Sequence, residues 1–166
     1  MADAVSEAPS PDSVVRAAVT AFARDGYASV TVETLAKQTG MTKRMIHYHF
    51  GDKRGLYVAA LRHALGQLAP PENVLNRSFA VPVEGMRRFV DALYHTCLDN
   101  PDAVRLVLRE NLDPAVEADD AALLTDAREV ALHAERLLLA GQDAGAFRPG
   151  ITAVDLLALI VSLCFF

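Results

Sequence analysis

Nowhere in its 166 residues does this chain hold the run of ~18 apolar residues that a membrane span requires, so no membrane is expected among its partners. Cysteine is scarce. Cys97 and Cys164 are the only two, neither belongs to a CxxC pair, and a disulfide-stapled scaffold is excluded. The start, Met1–Pro11, is small and acidic rather than basic and then apolar, so no secretory leader and a cytoplasmic location are expected. No stretch alternates apolar and polar residues between turn signals, which argues against strands. Nucleophile elbow, phosphate loop and dinucleotide glycine motif are all missing. His47 and His49 stand two apart and face different sides of a helix, as do His95 and Cys97, so neither pair suits a shared metal. No catalytic residue, metal or cofactor is therefore expected, and the chain does not read as an enzyme.

What is present is a folded, helical protein. Hydrophobic residues make up 52% of the chain and charged residues 22%, too apolar a balance for disorder, and the length is enough to bury a core. The net charge of −5 argues against nucleic acid, but it is an average of two unlike parts. Residues 1–65 hold eight Lys/Arg against six Asp/Glu, a net of +2, and residues 66–166 hold eight against fifteen, a net of −7. All three lysines, Lys37, Lys43 and Lys53, lie in the stretch 37–54, where Arg44 and Arg54 join them against Asp52 alone, a net of +4. Such a focus is either a nucleic-acid footprint or a solvated helical face.

The apolar residues repeat with helical spacing throughout. Ser10-Pro11 opens a first helix with Val14, Ala18 and Phe22 inward, closed at Gly26. Thr31 caps a short helix with Leu35 and Ala36 inward, and Gly40 stops it. Thr42 caps a third, with Ile46 and Phe50 inward, and Gly51-Asp52 breaks it. Asp52 caps a fourth, carrying Leu56, Ala60 and Leu61. Residues 66–82, punctuated by Gly66, Pro70, Pro71 and Pro82, read as a linker. Longer helices follow: Val83–Leu98 with Met86, Phe89, Val90, Leu93 and Cys97 inward; one opened by Pro101 with Val104, Leu106, Val107 and Leu108; and one from Asp119 to Ala140 with Leu123, Leu124, Ala127, Val130, Ala131, Ala134, Leu137 and Leu138. Gly141, Gly145, Pro149 and Gly150 make a turn. Thr152 caps a last helix, Ala153–Phe166, apolar nearly all round.

The segment Thr31–Phe50 is therefore helix, glycine turn, helix, the geometry whose second helix enters the DNA major groove. At about 100° per residue, Ile46 and Phe50 share the inner side of that helix. Lys43, His47, Arg44 and Tyr48 form an outward arc of groups suited to base edges and phosphates. On the same wheel His49 falls near the buried side, so a packed or capping histidine and a DNA contact both remain open.

The run Val14-Val15…Ala18…Phe22…Gly26-Tyr27…Val32…Leu35-Ala36…Gly40-Met41-Thr42-Lys43…Ile46-His47-Tyr48-His49-Phe50-Gly51-Asp52-Lys53…Leu56 resembles the DNA-binding domain of TetR-family transcriptional regulators over roughly residues 12–61. The resemblance implies an all-α fold: a flexible tail (1–11), a three-helix helix-turn-helix DNA-binding domain with its connecting helix (12–65), and a helical effector-binding and dimerisation domain (66–166). It implies a sequence-specific regulator, expected to be a homodimeric repressor that leaves a palindromic double-stranded operator when a small-molecule effector binds. It also implies DNA contacts from Thr31, Thr42, Lys43, Arg44, His47, Tyr48, His49 and Lys53. Two positions depart from the usual pattern. Arg44 stands where relatives often carry glycine, and His47 where they often carry tyrosine. A surface histidine beside phosphates is expected to bind DNA more strongly when protonated.

The effector site is left open by the sequence. Phe89, Leu93, Cys97 and Arg109 are candidate ligand contacts, although the first three read first as plain core and Arg109 as an exposed ion pair. Relatives usually continue through one further helix, whereas this chain stops inside an apolar one, so the last helices are expected to be incomplete and part of the dimer seam absent. An alternative reading keeps the helix-turn-helix as a protein-interaction or architectural module without operator specificity.

Overall fold

The computed structural model describes residues 9–75, 81–115 and 124–165, and every regular element among them is helical. They are α1 (Pro11–Ser29), α2 (Val32–Thr39), α3 (Lys43–Phe50), α4 (Lys53–Leu68), α5 (Glu72–Leu75), α6 (Pro82–Asp99), α7 (Pro101–Leu112), α8 (Leu124–Asp143) and α9 (Ala153–Phe165). The tail through residue 8, the expected helix start near Asp119, and the inward placement of Leu123, Leu124 and Ala127 lie outside the description.

Local chemistry sets the helix starts. Ser10 and Ser13 bond reciprocally, side chain to backbone N–H, at 3.1 and 3.0 Å, and Pro11 occupies the first turn, where a missing N–H costs nothing. Thr31, Thr42 and Asp52 cap α2, α3 and α4 by accepting from the N–H groups of Thr34, Met45 and Gly55. Gly40 closes α2 in the left-handed region, at φ 70°. Helical geometry in α1 breaks at Gly26 (φ 79°, ψ 165°), and one further turn carries the chain to Ser29.

Two buried clusters organise the molecule. The larger joins α1, α2, α3, α4 and α7 with Cys97 of α6, and its Val14, Phe22, Leu35, Ile46, Leu56 and Leu106 are essentially inaccessible. At its centre Phe22 meets the Tyr57 ring edge-on at 4.9 Å, and Tyr27 meets Tyr57 at the same distance. The smaller joins α6, α8 and α9 through Phe89, Leu93, Ala134, Leu137 and Ile160, with Cys164 packed against both. Thus α7, a helix of the second half, buries its Ala103 and Leu106 against the first.

Several sequence expectations are corrected. The linker begins later than Gly66: α4 runs on to Leu68, because Ala64 and Leu68 continue its buried stripe, and α5 lies inside the segment. Gly141 belongs to α8 rather than to the turn, since the Phe147 ring folds back onto its bare Cα. The apolar composition of α9 does not translate into burial within the chain: Ile160 is its buried residue, and Val154 and Leu163 are 74% and 72% exposed.

Candidate nucleic-acid interface

α2 and α3 stand on the larger cluster through Val32, Leu35, Met41 and Ile46. Ile46 is the buried residue of α3; Phe50 is half-buried. The rest of the short helix faces solvent: Lys43, Arg44, Met45, His47, Tyr48 and His49 are all exposed, Tyr48 by 80%. His49 is thus not on the buried side. Its ring lies edge-on to Tyr48 at 5.3 Å, and the eight-residue helix is too short for core to cover that flank.

The caps fix the ends of this surface. Thr31 and Thr42 spend their side-chain oxygens on N–H groups at the starts of α2 and α3, and the Thr31 hydroxyl also lies 2.9 Å from that of Thr34. Lys43 forms an ion pair with Glu33 of α2, which with a bond from the backbone holds the Glu33 carboxyl below the usual carboxylate range. His47 Nδ1 lies 2.7 Å from the carbonyl oxygen of Gly51. Lys53, in the first turn of α4, donates to the Ala28 carbonyl at 3.2 Å and sits over the Tyr27 ring, 4.5 Å from its centroid. Together these contacts tie the start of α4 to the end of α1, and the Ala28 bond uses one of the three ammonium N–H donors. Sequence reasoning singled out neither Glu33 nor Met45. Glu33 lies ten residues from its partner and outside the basic stretch, while Met45 is an apolar residue at the edge of the arc.

A separate feature lies at the other end of α4. Leu65, Leu68 and Ala69, with Leu93, Cys97, Val107, Asn111, Val130, Leu157, Val161 and Phe165, line a cavity of about 260 Å³. Among the described residues no charged side chain lines it, and the Asn111 amide is its polar group. Of the four candidate ligand contacts, Leu93 and Cys97 line it. Phe89 is sealed in the smaller cluster, 5.3 Å from the buried His133 ring. Burial, and Cys164 beside it, push the Cys97 thiol up to about 11, so it stays protonated and serves as apolar wall. Arg109 turns away from the cavity. Its Nε and Nη2 donate to the carbonyls of Ala23 and Arg24 at 2.7 and 2.9 Å, just before Gly26 interrupts α1. Next to it, Glu110 accepts from the Tyr57 hydroxyl at 2.7 Å and from the Ala115 N–H at 3.1 Å. α4 and α7 therefore both line the cavity, and the Tyr57–Glu110 bond joins them.

A capped helix-turn-helix with an exposed basic second helix, built onto a helical body with an apolar chamber, defines a DNA-binding regulator class. Known proteins specify it further. Residues 14–60 match the family described as bacterial regulatory proteins, tetR family, and residues 82–166 match the tetracyclin repressor-like C-terminal domain. The chain belongs to the TetR family of transcriptional regulators. It is 28% identical over 156 residues to the HTH-type transcriptional repressor NicS of Pseudomonas putida, covering 93% of this chain and 74% of that protein. Among solved structures, the regulator PfmR of Thermus thermophilus superposes with a TM-score of 0.73 at 23% identity, covering 91% of this chain and 84% of that one. The hemolysin II regulator HlyIIR gives 0.73 at 20% identity, covering 94% and 85%. These two likenesses concern the fold.

Proposed function

We propose that this protein is a homodimeric repressor that reads a palindromic operator with α3 and leaves it when a small molecule enters the chamber between α4, α6, α7, α8 and α9. The observation that carries the reading is the outer face of α3. Six consecutive-turn side chains, including two cations, stand in solvent on a helix that is capped at its start and anchored by Ile46. In this reading Thr31, Thr42 and Lys53 hold phosphate, and Lys43, Arg44, His47, Tyr48 and His49 face the groove. The domain division is proposed at the end of α4, with residues 12–68 as the DNA-binding unit and α4 as its connecting helix. Exposed Leu132, Leu139, Leu159 and Leu163 on α8 and α9 support pairing with a second copy. The uncharged chamber wall supports an uncharged, mostly apolar effector, since a buried charge there would meet no partner. Such a ligand acts by favouring the arrangement in which the two α3 helices no longer lie ~34 Å apart, one turn of DNA.

Selection of bound duplexes from a random library, followed by gel shift with and without cell extract, tests this. One recovered sequence motif supports the repressor; uniform weak binding to every fragment favours an architectural module. Lys53→Ala is expected to weaken binding to all sequences and flatten the salt dependence by about one unit of slope. Arg44→Ala is expected to relax discrimination at one base position, by about 1–3 kcal/mol if Arg44 forks onto guanine. Wild-type affinity and salt slope in both variants would remove α3 from the interface.

A further inference from the structure

α3 ends in a turn that its glycine makes possible. Gly51 has φ 77° and ψ −76°, and the Asp52 N–H donates across it to the Phe50 carbonyl at 3.0 Å. This is the positive-φ form of the three-residue γ-turn, rare and strained for residues with a side chain. The turn ties residues 47 and 51 twice. The Gly51 N–H donates to the His47 carbonyl at 2.9 Å, and the Gly51 carbonyl swings back to within 2.7 Å of His47 Nδ1.

A carbonyl oxygen only accepts, so Nδ1 carries hydrogen whether the ring is neutral or protonated. Nε2 is then the nitrogen that changes state: a lone pair in the neutral ring, an N–H in the charged one. Histidine is the side chain type that makes this change between about pH 5 and 8. α3 packs on α1, α2 and α4. The charge set against His47 from α2 is Glu33, which also holds Lys43, one turn earlier on α3. At the start of α4, Asp52 accepts from the Gly55 N–H and Lys53 is turned to Ala28, while Arg54 is exposed; on α1, Arg24 is paired with Asp25.

Resting on the reading of α3 as the recognition helix, we infer that His47 is a proton-switched base reader. With a neutral ring, its Nε2 accepts from the major-groove amino group of adenine or cytosine; with a protonated ring, it donates to a major-groove acceptor, guanine N7 or O6 or thymine O4. The major groove presents these acceptors and donors distinctly for each base, so the base preferred at one operator position changes with pH. The added positive charge also tightens binding to all sequences at acid pH, a separate effect from the change in preference.

The test begins with the operator recovered by selection. Each position is replaced by every base, and affinities are read by fluorescence anisotropy at about pH 6 and about pH 8, for the wild type and for His47→Gln. His47 is exposed, so the variant keeps the fold. The expected result is one position where the wild type prefers adenine or cytosine at the higher pH and shifts toward guanine or thymine at the lower, by about two- to tenfold, the range of one hydrogen bond. His47→Gln keeps one preference at both. In the free protein, nitrogen chemical shifts of the neutral ring are expected to report hydrogen on Nδ1. A selected operator whose base preferences do not move with pH, or move equally in His47→Gln, overturns this inference and leaves the repressor reading standing. Hydrogen on Nε2 in the neutral ring does the same. Failure to recover any preferred sequence overturns both.

Discussion

At Gly55 a single missing methyl decides how two helices cross. A Cβ there would overlap the carbonyl oxygen of Phe50, so the first turn of α4 closes against the end of α3 through bare Cα. Gly→Ala in a helix ordinarily stabilises by about 0.5–1 kcal/mol. Here the colliding atom is backbone, which cannot rotate away, and Gly55→Ala is expected to destabilise by about 1–3 kcal/mol. Urea titration reads the sign directly, and a more stable variant would show that α3 and α4 do not meet this way. The sequence carried no sign of this contact, because Gly55 lies inside a continuous helical stripe and its collision partner is set by the turn at Gly51. The caps, by contrast, were legible residue by residue. Thr31, Thr42 and Asp52 act on N–H groups three residues ahead, within the reach of local pattern. For His49 the wheel left two readings open for a related reason: it assigns a direction but does not show whether any neighbouring element covers it.

Among the elements, α7 is the one whose role sequence order conceals. Its apolar spacing announced a helix, but its partners are far away in the chain: Arg109 reaches Ala23 and Arg24, and Glu110 reaches Tyr57. Periodicity reports that a face is buried and is silent on what buries it. The Tyr57–Glu110 bond links α4 to α7 and gives a measurable consequence. Burial first, and then the Glu110 carboxylate, raise the Tyr57 hydroxyl above its ordinary value. A group with a raised folded-state value contributes stability that is complete below its unfolded value, near pH 10, and lost as pH climbs above it. Tyr57→Phe keeps the ring that packs on Phe22 and Tyr27 and removes the bond to a charged acceptor, an expected loss of about 1.5–3 kcal/mol at neutral pH. The alkaline fall in stability should be shallower in the variant than in the wild type. Equal stability of the two proteins at neutral pH would mean that the bond contributes nothing to the joint between α4 and α7.

For the whole molecule, the distribution of apolar surface sets the next question. The first half closes its core on α7, and α6, α8 and α9 close a second one, yet a band of leucines stays outside both. Leu132 and Leu139 stand seven residues apart on one stripe of α8, and Leu159 and Leu163 four apart on α9, all exposed by about half or more. Sequence alone marked α9 as apolar all round, which fits a buried helix as well as a pairing one. Within the chain, α9 buries Ile160 and leaves the opposite face open. A second copy laid on this face would remove that surface from water at about 25 cal/mol per Å² and would hold two α3 helices at a fixed separation. Sedimentation at micromolar concentration should then show a dimer for the wild type. Leu139→Glu combined with Leu163→Glu should give a folded monomer, because neither residue is in a core and two carboxylates on each copy oppose pairing. On the selected operator that monomer should bind a single half-site and lose its preference for the natural spacing between the two. A monomeric wild type that still discriminates half-site spacing would place the pairing surface elsewhere, and a dimeric double variant would exclude this face as the one that pairs.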